Sequence, residues 1–134
     1  MQVVNGIQRV TIAGHRVPAA EAAVLAVLLA AERPLLVAEV RERLGGRPRA
    51  HTTVITLLGR LVERGLATRD GDTRAHRYLP SGSEQELALK ALSQTLDGID
   101  DPARALVAFI NGLPAGTRRS VTRGLDPGDD PTKH

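Results

Sequence analysis

The chain has 134 residues, of which 42% are hydrophobic and 25% are charged, a balance typical of one folded domain or of a small domain with an appended element. It contains no Cys and no Trp, and its only aromatic residues are Tyr78 and Phe109, so thiol catalysis and Cys-based zinc sites are excluded and an aromatic platform for single-stranded nucleic acid is disfavoured. The net charge of +3 conceals a basic middle block, residues 33–77, in which ten Arg stand against five acidic residues.

Arginine provides every positive charge of this middle block. Its planar guanidinium offers phosphate or guanine two parallel hydrogen-bond donors, a fixed fork that lysine lacks, so the block favours a nucleic-acid partner. A GC-rich genome would produce the same composition. Only the placement of the arginines along the fold distinguishes the two explanations.

The sequence gives no indication of a membrane segment. The longest apolar stretch, residues 22–31, has about half the length that a membrane helix needs. The N-terminus lacks the charged-then-apolar order of a signal peptide. We therefore expect a cytoplasmic protein with no membrane partner.

The N-terminal third is predicted to contain two helices. Residues 1–17 alternate only weakly between apolar and polar, and they are expected to form an N-terminal arm that is either extended or disordered. Nearly every residue in the range 19–31 is a strong helix former, which predicts a buried helix. A shorter helix is predicted over residues 36–44, where Gly45-Gly46 ends it.

The third predicted helix, about residues 50–64, has the clearest period. Its apolar residues recur at i, i+3, i+4, i+7 and i+8, and they are Val54, Leu57, Leu58, Leu61 and Val62. Two short extended runs, residues 66–69 and 75–79, follow on either side of the sequence Asp70-Gly71-Asp72-Thr73. An Asp-Gly turn between two short strands predicts a β-hairpin.

The C-terminal third is predicted to be helical. Ser83 and Glu86 have the spacing of a capping box for a fourth helix, which reaches about residue 96. Asp100-Asp101-Pro102 marks the start of a fifth helix that reaches about residue 112, and a sixth is predicted over residues 114–125. Residues 126–134 are expected to be a disordered tail.

This order of elements predicts a mainly α fold with a small β-hairpin wing. We assign residues 18–82 to a winged helix-turn-helix DNA-binding domain and residues 83–125 to a C-terminal helical dimerisation domain. In a winged helix-turn-helix the third helix enters the DNA major groove, and the hairpin lies over the neighbouring backbone.

The polar face of the third helix carries groups suited to DNA. Threonine offers a hydroxyl to phosphate oxygens or base edges and a methyl to thymine, and Arg60 offers a bidentate donor one turn later. Other arginines precede the helix or lie on the hairpin, so basic residues bracket this face. The predicted DNA-binding residues are Arg47, Arg49, His51, Thr52, Thr53, Thr56, Arg60, Arg69, Arg74 and Arg77.

Two positions on this face have simpler explanations as well. Thr52 lies near the predicted helix start and can be read as an ordinary N-cap. Gly59 costs about 1 kcal/mol relative to Ala in an exposed helix. It either lets a phosphate backbone approach closely or reflects sequence drift.

The C-terminal third has two apolar stripes, more than its short helices can bury alone. A second copy of the chain would cover them, double the DNA contacts and match a twofold operator, whereas packing back on the winged domain is the alternative. The predicted dimerisation residues are Leu89, Leu92, Leu96, Leu106, Val107, Phe109, Ile110 and Leu113.

The segment HTTVITLLGRLVERGLATRD, residues 51–70, resembles the recognition helix and first wing strand of the penicillinase-repressor family of transcriptional regulators, the BlaI/MecI type. Residues 21–44 are similar to the first two helices of that family, and residues 73–80 to its second wing strand. Residues 106–113 are similar to its C-terminal dimerisation helices. The resemblance extends from about residue 19 to residue 125.

The resemblance implies a homodimeric repressor that binds an inverted-repeat operator on double-stranded DNA, at genes of β-lactam resistance or of the cell envelope. In some members a membrane sensor protease leads to cleavage within the dimerisation region, which releases the DNA. The cleaved bond joins Asn to Phe in the segment that matches Ala108-Phe109, so Ala108 departs from the family pattern. Leu36 also stands where many relatives have a hydroxyl cap, and Gly59 where relatives often have a polar residue.

Three other classes of function fit the sequence less well. A winged-helix module that binds protein instead of DNA would carry few basic residues around the third helix. A metal- or ligand-responsive regulator is disfavoured because the four His show no paired helical spacing and Cys is absent, so neither a metal nor a cofactor is expected. An enzyme is disfavoured because no catalytic constellation stands out, and Gly45-Gly46 is followed by Arg-Pro, unlike a phosphate-binding loop.

Overall fold

The computed structural model describes residues 8–71 and 76–125. The predicted turn residues Asp72 and Thr73, the predicted DNA contact Arg74 and the predicted tail, residues 126–134, lie outside these ranges. The elements of the described residues are, in chain order, β1 (Arg9–Ile12), β2 (His15–Pro18), α1 (Ala19–Ala30), β3 (Leu35–Leu36), α2 (Val37–Arg43), α3 (His51–Glu63), β4 (Ala67–Asp70), β5 (Arg77–Pro80), α4 (Glu84–Asp97), α5 (Pro102–Asn111) and α6 (Ala115–Gly124).

Strands β1 and β2 form an antiparallel hairpin ahead of the first helix. Val10 pairs with Val17, and these two side chains share the face that turns toward the core, where Val17 is buried and Val10 half-buried. Residues 9–17 therefore form a hairpin instead of the extended or disordered arm that the sequence analysis expects. The apolar residues that alternate weakly in this part of the sequence form the inner face of the hairpin.

The turn of this hairpin contacts α4, which is distant in sequence. Its central residues Ala13 and Gly14 both have positive φ, 48° and 81°, as in type I′ turns, whose twist matches that of the flanking strands. A Cβ on Gly14 would lie 3.1 Å from the Cβ of Ala91, so the helix packs closely on the turn. Nε2 of His15 lies at hydrogen-bond distance, 2.8 Å, from the carbonyl oxygen of Leu87.

The core between the helices is aliphatic, as the composition requires. Leu25 and Leu28 of α1 pack with Leu58 and Leu61 of α3, and all four side chains are at most 1% exposed. Helix α1 is apolar around most of its circumference, which explains why so many of its side chains are buried. In α3 only one stripe is apolar, so the packing against α1 leaves the opposite face in solvent.

A three-stranded antiparallel sheet closes one side of this core, with β5 between β3 and β4. Strand β3 is only two residues long, and Leu35 lies opposite Tyr78 of β5. Tyr78 is 5% exposed and is the aromatic side chain of the core among the described residues. Strands β4 and β5 are the arms of the predicted hairpin, paired in the register that sets Asp70 opposite Arg77.

An ion pair with one buried partner links the start of α1 to the end of α3. Glu21 is 1% exposed, and its Oε1 accepts a hydrogen bond from Nε of Arg64 at 2.6 Å. This hydrogen bond, together with the charge of Glu21, raises the pKa of the Arg64 guanidinium above its ordinary value. The carboxylate lies in the first turn of α1, where the helix dipole also favours a negative charge.

Helix α2 begins without a hydroxyl cap, because Leu36 stands at its N-cap position. The carboxylate of Glu39 forms one of the two hydrogen bonds of a capping box, because its Oε1 accepts the backbone N–H of Leu36 at 2.8 Å. Arg33 donates to both oxygens of the same carboxylate, at 3.1 and 2.5 Å. These hydrogen bonds lower the pKa of Glu39 to about 2, and the one from Arg33 has the larger effect.

The chain divides into two compact units, residues 1–93 and 94–134, so the first part of α4 belongs to the first unit. The predicted capping box of α4 is confirmed, since Ser83 and Glu86 exchange both hydrogen bonds, at 2.8 and 3.1 Å. The predicted cap of α5 is also confirmed: Asp101 accepts the backbone N–H of Arg104 at 3.1 Å. Leu87 of α4 is buried in the core of the first unit.

The predicted fold class, mainly α with a small β-hairpin wing, is confirmed. Helices α1, α2 and α3 followed by the β4–β5 hairpin are the elements of a winged helix. Among the described residues, no helix combines the length and the apolar character that crossing a membrane requires.

The ion pair predicts unequal effects for its two partners. We expect Arg64→Ala to lower the free energy of unfolding by about 3 kcal/mol, because it leaves the buried Glu21 carboxylate without its cation. Glu21→Gln should cost about 1 kcal/mol, since Gln still accepts a hydrogen bond and the guanidinium of Arg64 reaches water. Urea unfolding of both variants measures the difference, and equal losses would contradict this account of the pair.

Candidate nucleic-acid interface

The exposed face of α3 is determined by its buried stripe. Val54, Leu57, Leu58 and Leu61 are at most 6% exposed, which fixes the rotation of the helix about its axis. With 100° between successive residues, the centre of the opposite face falls on residues 52, 56, 59 and 63. The predicted contacts on this helix are all exposed, and they are His51, Thr52, Thr53, Thr56 and Arg60.

The N-terminus of α3 has no side-chain cap among the described residues. Its N-cap position is held by Ala50, and the first backbone hydrogen bond of the helix is donated by the N–H of Val54. Thr52 is the second residue of the helix, so it is not the N-cap that the sequence analysis considered. The leading N–H groups therefore have no intrahelical acceptor and, with the helix dipole, favour an anion at this end.

The hydroxyl of Thr56 already has an acceptor within the helix. Its Oγ1 donates to the backbone carbonyl oxygen of Thr52 at 3.0 Å. This bond selects one of the two χ1 rotamers that threonine adopts in helices. In this rotamer the hydroxyl has only lone pairs left, so it can accept a hydrogen bond from a base amine but cannot donate one to a phosphate oxygen.

The arginines that precede α3 lie in the segment between α2 and α3. Arg47 is exposed, whereas Arg49 is half-buried and its Nε is a buried atom with no hydrogen-bond partner among the described residues. Nε of Arg41 donates to the backbone carbonyl of Arg49 at 2.6 Å, which ties this segment to α2. The role of Arg41 in this arrangement is not visible in the sequence, because the bond joins residues on different elements.

The hairpin arginines lie on the strands of the wing. Arg69 of β4 and Arg77 of β5 are exposed, and Asp70 lies opposite Arg77 in the strand pairing. Arg74 lies outside the described residues. The predicted contacts thus fall on three neighbouring parts of one winged-helix domain, namely α3, the segment before it and the hairpin after it.

One exposed side chain of α3 was missed by the sequence analysis. Ile55 is 42% exposed, although it lies beside the buried Val54 in sequence. Its position on the helix, between the buried stripe and the polar face, follows from the same 100° spacing. The helical period therefore predicts that Ile55 lies at the edge of the buried stripe. Its exposure is recognised only when the burial of its neighbours is known.

The predicted dimerisation residues are only partly covered. Leu89 and Leu92 of α4 and Val107 and Phe109 of α5 are between 47% and 64% exposed. The remaining predicted residues are half-buried, and they are Leu96, Leu106, Ile110 and Leu113. In the described residues there is no cluster of three or more acidic or His side chains that could hold a metal ion.

Comparison with known proteins identifies the family. The family model of the penicillinase repressor matches residues 17–118. This chain belongs to the penicillinase repressor family. It is 36% identical over 110 residues to the transcriptional regulator BlaI of Mycobacterium tuberculosis, both in strain CDC 1551 / Oshkosh and in strain ATCC 25618 / H37Rv, and the alignment covers 78% of this chain and 79% of the relative.

Membership of this repressor family makes the chain a transcriptional repressor and not an enzyme, as the sequence analysis predicts. The family match begins at residue 17, inside β2, so strand β1 and the hairpin turn lie outside it. Within the match, this family member has Gly59 and the exposed Ile55 on its third helix.

Gly59 provides a test of the exposed helix face. No atom lies within 4 Å of the position that a Cβ would occupy at Gly59, and its φ is not in the left-handed region. We therefore expect Gly59→Ala to raise the free energy of unfolding by about 1 kcal/mol, through the better helix propensity of Ala. Thermal or urea unfolding measures this change, and a destabilised variant would mean that the face is less open than described.

Proposed function

We propose that this repressor is a homodimer that binds an inverted-repeat operator on double-stranded DNA, with α3 in the major groove. The observation that carries the proposal is the exposed face of α3, which combines threonines and Arg60 with an uncapped helix N-terminus. An α-helix fits the major groove, where base edges are distinguishable. From the family to which the chain belongs, we further propose that it regulates genes of β-lactam resistance or of the cell envelope.

In this proposal the contacts divide into those that read bases and those that bind phosphate. Arg60 reads guanine through two hydrogen bonds, and Thr56 accepts from an amine of cytosine or adenine. The free N–H groups at the start of α3, with His51, Thr52 and Thr53, approach a phosphate or a base edge. The arginines outside α3 bind the backbone, and they are Arg47, Arg49, Arg69, Arg77 and, from the sequence, Arg74.

The lack of buried side chains among the described residues of the C-terminal unit supports a dimer in which a second copy covers them. No side chain in the described part of this unit, residues 94–125, is buried, although it contains the apolar residues of α5. Short helices without buried side chains have little stability of their own. A homodimer would bury Phe109 and its apolar neighbours, and its twofold symmetry suits an inverted repeat.

A regulatory protease is the further partner in this proposal. The bond between Ala108 and Phe109, which corresponds to the bond cleaved in some relatives, lies inside α5, and both side chains are exposed. A protease needs an extended backbone, so cleavage at this position requires α5 to open first. A repressor acts where its operator is, and the proposal therefore places the protein in the cytoplasm.

A winged-helix module that binds protein without specific DNA binding is the alternative. Its one supporting observation is the exposed Ile55, since an apolar side chain on a helix surface can also contact a protein. A gel-shift titration with the DNA upstream of the gene separates the two functions, using excess unrelated duplex and two salt concentrations. Specific binding with a steep salt dependence supports the repressor, whereas no binding at low salt supports the alternative.

The division of labour among the arginines predicts two different mutant phenotypes. Arg60→Ala should weaken specific binding by about 1–3 kcal/mol and leave non-specific binding nearly unchanged, because it removes a base contact. Arg69→Ala is the matched control: it should weaken both kinds of binding alike and reduce the salt slope by about one. An equal loss on all sequences for Arg60→Ala would contradict its role as a base reader.

The proposed dimer depends on the exposed apolar residues of α5. We expect Phe109→Glu to shift the protein to a monomer, because a carboxylate at that position would be buried without a partner in the dimer. Ala103→Glu, exposed near the start of the same helix, is the control and should remain dimeric. Sedimentation equilibrium measures both, and a dimeric Phe109→Glu variant would remove Phe109 from the interface.

A further inference from the structure

Ile55 is a large apolar side chain of α3 that is exposed instead of packed into the core. The core of the first unit covers Val54 and Leu57 on either side of it in sequence, yet Ile55 is 42% exposed. On the helical wheel it lies beside Thr52 and Gly59, three residues before it and four after it. The surface beside Ile55 is open at position 59, where an added Cβ would have no atom within 4 Å.

The surface between Ile55 and Gly59 has few groups that can donate a hydrogen bond. The hydroxyl proton of Thr56 is engaged by the carbonyl oxygen of Thr52, Gly59 has no side chain, and Ile55 has no polar atom. From Ile55 toward Gly59 the helix therefore presents methyl groups and, at Thr56, a hydroxyl that can only accept. The possible donors His51 and Thr52 lie one turn nearer the helix N-terminus. The guanidinium of Arg60 lies on the other flank of the face, since residue 60 is rotated by about 140° from residue 55.

An apolar side chain in the major groove discriminates between bases by what it desolvates. Guanine and adenine present N7 with O6 or N6, and cytosine presents its N4 amine, so covering any of these with Ile leaves a polar group without a partner. Thymine is the base whose major-groove edge carries an apolar group, the C5-methyl. Contact between this methyl and Ile buries apolar surface on both sides.

We propose that Ile55 determines specificity by packing on the C5-methyl of a thymine in each half-site of the operator. This inference rests on the proposed function, because it requires α3 in the major groove. The contact with Ile55 would select thymine at one position by its methyl group, without a hydrogen bond. It also gives the exposed Ile55 side chain a partner in DNA, whereas its exposure otherwise favours a protein partner. Arg60 and Ile55 then read different bases from the two flanks of one helix face.

Replacement of thymine by deoxyuridine tests the contact, since it removes the methyl and leaves every hydrogen-bonding group of the base in place. The probe is a duplex selected by the full-length protein from a randomised pool, with each thymine of the half-site replaced in turn, symmetrically in both half-sites. Burial of one methyl corresponds to about a fourfold change in affinity. We therefore expect a loss of about 16-fold at one thymine position when both half-sites are changed.

The same scan with variants of the protein assigns the methyl contact to a side chain. Ile55→Ala should bind thymine and deoxyuridine duplexes nearly equally, and Ile55→Val, which keeps the branched apolar surface, should retain most of the preference. Ile99→Ala is the matched control, because Ile99 is also 42% exposed but lies outside the winged-helix domain, and it should keep the full preference. Circular dichroism checks that each variant is folded.

Three results would overturn the inference, and they differ in what they leave standing. If deoxyuridine has no effect while selective binding persists, the repressor function stands and no thymine methyl is read. If deoxyuridine weakens the wild type and Ile55→Ala alike, a different side chain reads the methyl. If no duplex is selected and unrelated competitor abolishes all binding, the proposed function fails together with the inference.

Discussion

The packing of one aliphatic stripe of α3 against α1 is the constraint on which the rest of this structure depends. With no Trp and two aromatic residues in the whole chain, most of the core is built from Leu and Val side chains, which have no polar atoms to satisfy. Four such side chains of α3 are buried, and they leave the helix one possible orientation. This orientation decides which side chains of α3 are exposed and, in the proposed function, face DNA.

Among the described residues, two ion pairs lie where the apolar packing ends, one between α1 and α3 and one at the start of α2. The buried carboxylate of Glu21 joins the start of α1 to Arg64 at the end of α3, so α3 is fixed at its C-terminal end by charge. The second pair, Arg33 with Glu39, lies at the surface, where screening by water leaves such pairs little net stability. Its structural effect is local: the shared carboxylate also caps Leu36 and starts α2.

The separation of the chain into two units fits a division of labour between stability and assembly. The first unit encloses its own core, to which α4 contributes Leu87 and the hairpin turn contributes Gly14 as a contact point. The described part of the second unit buries no side chain. In the proposed dimer this segment gains its stability from the second copy, so the strength of repression and the state of assembly are coupled in the proposed function.

The sequence by itself determined the order and type of most elements, because their signals are local. The period of the third helix, the Ser83–Glu86 capping box and the Asp101 cap each depend on residues within a few positions of one another, and the structure has them as predicted. The threonines and Arg60 were found for the same reason, since the polar face of a helix follows directly from its apolar period.

Tertiary structure decided the features that join distant parts of the chain. The N-terminal hairpin depends on Gly14 against Ala91 and on His15 beside the carbonyl of Leu87, contacts between residues more than 70 positions apart. The partner of Glu21 and the exposure of Ile55 are likewise invisible in the sequence, because each depends on how α1 and α3 lie against each other. Local patterns specify elements through short-range hydrogen bonds and periodicity, whereas burial and charge pairing are properties of the packed chain, which no short window of residues contains.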